Sequence, residues 1–228
     1  MLTKRLAACA AQVTPAGVVC DVGTDHAYLP AELLQSGRCT RAVATDIHAG
    51  PLEAARRTLT EAGVLEQAEL FLCDGLEQVQ PAGITDVVIA GMGGETIVHI
   101  LENCPWRRQV HLILQPMTKI PDLRLWLAQQ GFGWSEQVVQ EGEKFYVILS
   151  ARHTGTVRIL SPLEQAWTGS RNPSAAMPAG SSSVFRNWHS SWNRQDVQKP
   201  QTGRHWHRQF RRNYKSLCGI DRKGEITC

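Results

Sequence analysis

The feature that most constrains the fold is an alternation of apolar runs with segments of helical spacing between residues 18 and 130. Uninterrupted apolar runs are typical of parallel strands that are buried on both faces of a sheet. The segments between them suit helices, and Pro51 and Pro121 stand in the first turn of two of these, where a missing N–H costs nothing. The alternation predicts an α/β fold of five βα units in a doubly wound sheet. The apolar runs are VVCDVG (18–23), AVATDI (42–47), AELFLCDG (68–75), DVVIAGM (86–92) and HLILQP (111–116), and the helical segments are 29–37, 51–62, 94–103 and 120–130.

Two further strand-like runs follow the last helical segment. WSEQVVQEG and KFYVILSA are joined by the turn-prone EGEK, which predicts an antiparallel hairpin that closes an otherwise parallel sheet. The sheet would then have seven strands. At the other end of the chain, MLTKRLAACAAQV predicts an amphipathic helix with Leu6, Ala10 and Val13 on one side.

Charge and composition divide the chain near residue 153. The first 150 residues contain 11 Lys and Arg against 17 Asp and Glu, whereas the remainder contains 13 against 4. This remainder is poor in large aliphatic residues, lacks periodicity and includes the stretch NPSAAMPAGSSS. We therefore predict a folded domain over 1–152 and a basic, low-order, largely disordered tail over 153–228.

Composition also disfavours several classes of protein and site. No apolar run reaches the roughly 18 residues of a transmembrane helix, and the N-terminus is too short and too mixed for a signal peptide. The seven cysteines are scattered without a CxxC pair, which disfavours a disulfide framework and a zinc cluster and predicts a cytoplasmic protein. His205 and His207 flank Trp206 without a cysteine or acid at ligand spacing, so we predict no metal site there.

Acidic residues end three successive predicted strands. Ligands of open α/β sheets bind beyond the carboxyl ends of the strands. Asp46 follows the first strand's Gly23 turn by about 23 positions, a spacing that suits an acceptor for ribose hydroxyls, and Asp74 could accept a hydrogen bond from the exocyclic amine of adenine. Each acid alone could instead cap the next helix. The three acids together favour a nucleoside ligand, and the residues concerned are Asp21, Gly23, Asp46, Ile47, Asp74 and Gly75.

The same turns distinguish two classes of nucleoside cofactor. A dinucleotide requires a GxGxxG turn and a helix N-terminus that is free to accept a pyrophosphate. Here Gly23 is followed by Asp25, whose negative charge would repel phosphates. S-adenosylmethionine has no phosphate and carries a cationic sulfonium and a cationic ammonium group. Acidic side chains attract both groups. The sequence therefore predicts S-adenosylmethionine as the cofactor.

The fourth and fifth strands end in two more distinctive segments. In VVIAGMGGETI, glycines surround Met92, so this loop would have few side chains covering its backbone. The alternative is a simple glycine-rich turn between a strand and a helix. In LILQPM, Gln115 could bond to a base or could merely satisfy the loop backbone. We predict cofactor contacts for Ala90 and Gly91 and substrate contacts for Met92, Gly93, Gln115 and Pro116.

Taken in order, DVGTDHAYLP, ATDIHAGPLEAA, CDGLE, VVIAGMGGETI, LILQPM and LRLWL-x-x-x-GF resemble the bacterial tRNA (adenine-22-N1)-methyltransferase family. The resemblance covers about residues 2–152. It implies a Rossmann-like class I, S-adenosylmethionine-dependent domain that methylates N1 of an adenine in tRNA, with no membrane and no obligatory protein partner. By motif position it assigns Gly23, Asp46, Asp74 and Gly75 to the cofactor and places Asp25, His26 and Tyr28, with Met92 and Gly93, near the target base.

The DHAYLP segment suits methylation of adenine N1. That nitrogen has a free lone pair, so no nucleophile must first be deprotonated, although the base must leave its stack. The ring becomes positively charged, and the Asp25 carboxylate could stabilise this charge. Tyr28 could stack on the base, and His26 could orient it or relay a proton. The alternative is that His26 and Tyr28 simply begin a packed helix.

The chain departs from the family pattern after the closing hairpin. The family has a second, helical, coiled-coil-like domain there, whereas residues 153–228 show no heptads. The abrupt change after about Thr156 favours the hypothesis of translation out of the original reading frame. An RNA-binding tail is the alternative, because basic residues interleaved with Trp188, Trp192 and Trp206 could bind phosphates and stack on bases. Methylation of another substrate, and cofactor or RNA binding without turnover, stay open as functions.

Overall fold

The fold of this computed structural model is built on one mixed sheet. The structure describes residues 2–161 and 164–165, together with the backbone of 219–220 and 226–227. The order across the sheet is β3-β2-β1-β4-β5-β7-β6. Strands β1 to β5 run parallel, and β7 pairs antiparallel with both β5 and β6. This confirms the predicted seven-stranded sheet and its closing hairpin. The strands are β1 (Gly17–Val22), β2 (Cys39–Asp46), β3 (Ala68–Leu72), β4 (Asp86–Gly93), β5 (His111–Thr118), β6 (Phe132–Glu141) and β7 (Lys144–His153).

Helices cover both faces of the sheet. Along β1, Cys20 and Val22 pack into one buried cluster with α4 and α5, whereas Val19 packs into a second cluster with α1, α2 and α3. The period of two follows from the pleat, which points successive side chains to opposite faces. The doubly wound arrangement is therefore as predicted. The helices are α1 (Lys4–Gln12), α2 (Tyr28–Gln35), α3 (Ala49–Glu61), α4 (Gly94–Glu102) and α5 (Ile120–Gln129).

The prediction of five βα units is wrong at the third strand. Residues 73–85, between β3 and β4, contain no α-helix. Gly75 and Gly83 adopt left-handed φ angles of +54° and +78°, and Pro81 removes a backbone donor. Helix α1 forms as expected. Of its predicted apolar side, Val13 is buried, Ala10 packs partly buried against the same cluster and Leu6 is half-buried, while Ala8 and Cys9 are the fully buried residues of the helix.

A hydrogen-bonded cluster joins strands at the edge of the sheet where β4 and β5 begin. Asp86 Oδ1 lies 2.8 Å from His111 Nδ1, and His111 Nε2 lies 2.7 Å from Ser150 Oγ. Asp86 Oδ1 also accepts from the backbone N–H and the hydroxyl of Thr14, at 3.1 and 2.9 Å. Burial raises the pKa of Asp86, but the hydrogen bonds from His111, Thr85 and Thr14 outweigh it and hold the pKa below its usual value.

The described residues belong to two compact units, and the first continues to Leu160, past the predicted boundary at residue 152. Leu160 is buried, and the backbone N–H of Arg158 donates to Ala128 O at 3.0 Å. The second unit contains the antiparallel strands β8 (Gly219–Ile220) and β9 (Ile226–Thr227). The predictions of a disordered or RNA-binding tail and of no metal at His205 and His207 lie outside the described residues. No helix in the described ranges is long and apolar enough to span a membrane.

Candidate functional site

Backbone hydrogen bonds hold the carboxyl ends of β1, β2 and β3 together. The amides of Gly23 and Thr24 both donate to Thr45 O, at 2.8 and 2.9 Å. The amide of Cys73 donates to Asp46 O at 3.0 Å, and the Thr45 hydroxyl donates to the Gly75 carbonyl at 2.8 Å. The acidic turns that follow these strands therefore lie side by side at one edge of the sheet.

Two of these turns have a left-handed backbone that favours glycine. Gly23 has a φ of +68°, and a Cβ there would lie 2.2 Å from Met92 Cε, so the Met92 side chain of β4 covers the turn after β1. Gly75 has a φ of +54°, and a Cβ there would lie 2.8 Å from Ile100 Cγ2. Glycine is needed at both positions because the backbone is left-handed and a neighbour is close.

Asp21 lies beneath the first turn and is buried. Its Oδ2 accepts a hydrogen bond from Thr24 Oγ1 at 2.6 Å. Burial raises the pKa of Asp21 to about 7, the Thr24 bond lowers it, and the charge of Asp46 raises it again. The carboxyl group therefore exchanges its proton near neutral pH, which an exposed aspartate does not do.

Acidic and apolar side chains alternate along the next two strand ends. Asp46 is half-buried, and its Oδ1 accepts from the backbone N–H of His48 at 3.0 Å. The exposed fraction is 57% for Ile47 and 52% for Leu72, which is high for such apolar residues. Asp74 is also exposed. Carboxylates beside uncovered apolar side chains can bind a molecule that has both hydroxyl groups and a flat apolar face.

The DHAYLP loop carries three exposed side chains on a strained backbone. Asp25 and Ala27 adopt φ angles of +52° and +53°, although neither is glycine. His26 Nε2 lies 3.6 Å from Asp25 Oδ1, and the His26 ring stacks on Tyr28 with centroids 5.4 Å apart. Tyr28 is the first residue of α2, but 56% of it is exposed, so it is not a packed helix start. Strained residues of this kind cluster at functional sites.

The loop also contacts the neighbouring acid. The amide of Asp25 donates to Asp46 Oδ2 at 3.3 Å, so the predicted catalytic loop and the predicted ribose acceptor share a hydrogen bond. The structure thus brings the predicted cofactor residues of β1, β2 and β3 together with Asp25, His26 and Tyr28.

Gln115 and Pro116, which the sequence predicts to contact substrate, are buried. Gln115 Oε1 accepts from the amide of Gly91 at 3.1 Å, and Nε2 donates to Pro116 O at 2.9 Å. Of the two readings of Gln115, the structure therefore favours support of the loop backbone. Gly93 packs near Thr118, whose Oγ1 would lie 3.2 Å from an added Cβ, and Ala90 is half-buried beside Gly91.

Sequence reasoning missed Arg5. Its Nη1 donates to Gln115 Oε1 at 2.7 Å, and its guanidinium carbon lies 5.7 Å from the centroid of the Tyr146 ring. The residue belongs to α1, which precedes every strand, so no strand-end spacing pointed to it. A basic residue on an otherwise apolar helix face was the available signal.

Comparisons with known proteins identify the family of this chain. Residues 2–149 match the methyltransferase-domain family. The tRNA (adenine(22)-N(1))-methyltransferase of Bacillus subtilis is 33% identical over 153 residues, which are 66% of this chain and 64% of that protein. The chain thus spans less than two thirds of the length of this curated relative.

Two solved structures are similar over larger parts of the chain. A protein of the NADB-Rossmann superfamily from Streptococcus agalactiae is 37% identical, with a TM-score of 0.68, over 73% of this chain and 74% of that one. M. capricolum TrmK in complex with the natural cofactor product S-adenosyl-homocysteine is 28% identical. Its TM-score is 0.75 over 93% of this chain and 95% of that one.

Proposed function

Because this chain belongs to the methyltransferase-domain family and is a TrmK-like member of it, we propose that it transfers a methyl group from S-adenosylmethionine to N1 of an adenine, at position 22, in tRNA. The observation that carries the proposal is the alternation of carboxylates and uncovered apolar side chains at the carboxyl edge of the sheet. The large apolar or aromatic residues exposed there are Tyr28, Ile47, Leu72 and Met117. A tRNA substrate also accounts for the predicted cytoplasmic location.

The residues at the ends of β1 to β3 fit the adenosine part of this cofactor. Asp46 accepts from the ribose hydroxyls, and Asp74 from the adenine amine. Ile47 and Leu72 provide apolar surface for the adenine ring. Gly23 and Gly75 form these turns with left-handed φ angles of +68° and +54°, and a β-carbon at either position would meet Met92 or Ile100. The acidic character of the edge suits a cationic cofactor and repels the phosphates of a dinucleotide.

The cofactor supplies an activated methyl group on a sulfonium centre, and the protein supplies position and charge. Adenine N1 needs no general base, so the loop after β1 has two tasks. Tyr28 and the stacked His26 ring offer an aromatic surface to a base that has left its stack. The exposed Asp25 carboxylate lowers the energy of the ring as it becomes cationic, and this is stabilisation of the transition state rather than of bound substrate.

The test is methyl incorporation from labelled S-adenosylmethionine into bulk tRNA, followed by nucleoside analysis. We expect label in N1-methyladenosine. A matched transcript with guanine at position 22 should accept none. Label in another nucleoside or in a small molecule would assign a different methyltransferase activity. Cofactor binding without any incorporation would make the chain a non-catalytic binder.

A further inference from the structure

A serine, a histidine and an aspartate form a chain of hydrogen bonds where β4 and β5 begin, at the edge of the sheet opposite to the candidate site. Ser150 Oγ lies 2.7 Å from His111 Nε2, and His111 Nδ1 lies 2.8 Å from Asp86 Oδ1. The three residues belong to β7, β5 and β4, so no local sequence motif unites them. A nucleophile, its base and the group that orients the base are recognised by this geometry, whatever the fold.

Asp86 determines which nitrogen of His111 carries a proton. Burial raises the pKa of Asp86, but the hydrogen bonds from His111, Thr85 and Thr14 hold it below the usual value, so the group is a carboxylate. A carboxylate only accepts hydrogen bonds, and His111 Nδ1 therefore donates to it. In the neutral ring Nε2 then keeps its lone pair and accepts the Ser150 hydroxyl proton. A serine hydroxyl that donates to such a base is an activated nucleophile.

The serine end of this chain of bonds faces solvent. His111 and Asp86 are 5% and 0% exposed, whereas Ser150 is half-buried. Across the pair of β6 and β7, Ser150 lies directly opposite Ser135, which is exposed. The base and its orienting group are thus shielded from water, while a small molecule can reach the hydroxyl.

A cation lies on the same face of the sheet as this hydroxyl. Arg152 follows Ser150 by two positions in β7, and side chains two positions apart in a strand project from the same face. Arg152 is exposed, and its Nη2 donates to Thr14 Oγ1 at 3.3 Å. No carboxylate of residues 2–161 lies within ion-pair distance of it. A guanidinium without a carboxylate partner is well suited to bind phosphate oxygens through its fork of donors.

We propose that Ser150 is an activated nucleophile that accepts the acyl group of a small acyl phosphate, at a site separate from that of methyl transfer. The Ser150 oxygen forms a bond to the acyl carbon, and the bond from that carbon to the phosphate oxygen breaks. The hydroxyl proton passes to His111 Nε2 and then to the departing phosphate, which Arg152 binds. The products are an ester of Ser150 and inorganic phosphate, so the step needs no further reactant.

The experiment treats the full chain with labelled acetyl phosphate and locates the acetyl groups by mass spectrometry of peptides. Neutral hydroxylamine removes acetyl esters of serine but not acetyl amides of lysine, so it separates the proposed product from background labelling. Ser135 is the internal control, because it lies opposite Ser150 and is the more exposed of the two. We expect acetylation of Ser150 to be about 100- to 10,000-fold faster than that of Ser135, the range for general base catalysis.

Variants assign the parts of the site. Ser150→Ala should abolish the hydroxylamine-sensitive label, and Ser135→Ala should leave it at the wild-type level. His111→Asn keeps a donor for Asp86 but removes the base, so the rate should fall about 100-fold or more. Arg152→Ala should slow the reaction with acetyl phosphate by about ten- to a hundredfold, as for loss of a hydrogen bond to a charged group. The reaction with p-nitrophenyl acetate, which has no phosphate, should slow much less.

The results that would overturn the inference are distinct. Acetylation of Ser150 and Ser135 at equal rates, or of neither, would show that the chain of bonds only links strands. An equal effect of Arg152→Ala on both reagents would overturn the assignment of an acyl phosphate as the substrate. Ser150→Ala should bind S-adenosylhomocysteine like the wild type, and a loss of that affinity would contradict the separation of the two sites.

Discussion

Asp25 differs from the acids of β2 and β3 in its backbone as well as in its position. Its φ of +52° is left-handed, a conformation that aspartate and asparagine tolerate better than most residues. Asn therefore keeps both the backbone and the side-chain shape while removing the charge, which makes Asp25→Asn a well-matched variant.

We expect Asp25→Asn to lower the methylation turnover by roughly 10- to 1,000-fold, the scale seen when one electrostatic contact to a transition state is lost. The affinity for S-adenosylhomocysteine should stay close to the wild-type value, because the side chain is exposed beside the cofactor residues rather than among them. Single-turnover rates and calorimetry measure the two quantities. Full turnover combined with weakened cofactor affinity would move Asp25 to the cofactor site.

Asp21 should make the stability of the fold depend on pH. Its pKa is raised from 3.8 to about 7, mainly by burial, so between these values the folded state keeps a proton that the unfolded state has lost. Stability from this group is therefore complete below the unfolded pKa and is lost as pH rises to about 7. Above that pH the folded protein contains a buried charge, which lowers the free energy of unfolding by up to about 4 kcal/mol for a pKa shift of this size.

Asp21→Asn removes this buried ionisation. We expect the free energy of unfolding of the variant to exceed that of the wild type by a difference that grows from about pH 4 to about pH 7 and then levels off. Urea unfolding at a series of pH values measures it, and the exposed Asp74→Asn serves as control. A difference that does not change with pH would contradict the raised pKa.

At the scale of elements, the Asp86 cluster joins the segment after α1 to β4, β5 and β7. Asp86→Ala leaves the donors of Thr14, Thr85 and His111 without their acceptor inside the protein. Removing one partner of such a buried charged network lowers the free energy of unfolding by about 3–5 kcal/mol. Ser150→Ala, which removes one hydrogen bond at the rim of the same cluster, should cost about 1 kcal/mol.

Urea unfolding of both variants checks this prediction, which fails if Asp86→Ala costs no more than Ser150→Ala. The contribution of Asp86 also depends on pH. Because its folded pKa lies below the usual value, this stability is present above the unfolded pKa and is lost as pH falls through the folded one. Asp86 and Asp21 therefore change stability in opposite directions as pH rises.

Patterns that repeat within one element could be read from the sequence, and contacts between distant elements could not. The strands and the acids at their ends followed from local apolar runs and turn residues such as Gly23 and Asp46. The count of five βα units was a local error at β3, because no helical segment stands between residues 75 and 86 in the sequence pattern, and the structure has no α-helix there. Arg5 and the bonding of Gln115 depend on where α1 docks, and no local pattern encodes that.

At the scale of the whole molecule, the first 150 residues are acidic and the remainder is basic, and this division bears on how the proposed tRNA substrate would bind. Net charge of the first part repels a polyanion, so the candidate site alone does not attract its proposed substrate from solution. Binding of the proposed substrate would rest on local contacts at the edge of the sheet or on the basic remainder of the chain.

The docking of α1 determines when the site becomes complete during synthesis. Helix α1 leaves the ribosome before every strand of the sheet, yet it bonds to residues made much later. The bonds are Lys4 N to Glu141, Gln12 to Gln137 and Arg5 to Gln115, at separations of 137, 125 and 110 positions. Contacts of such long range form late in folding because the intervening chain must first be ordered. A nascent chain that stops before β6 therefore has the three acidic turns and the Arg5–Gln115 pair, but it lacks Gln137 and Glu141, which bond α1 to the closing hairpin. Translation that ends before β6 should therefore yield a protein in which α1 is not fully docked and the site is incomplete. The site becomes complete only when the closing hairpin of β6 and β7 has been made.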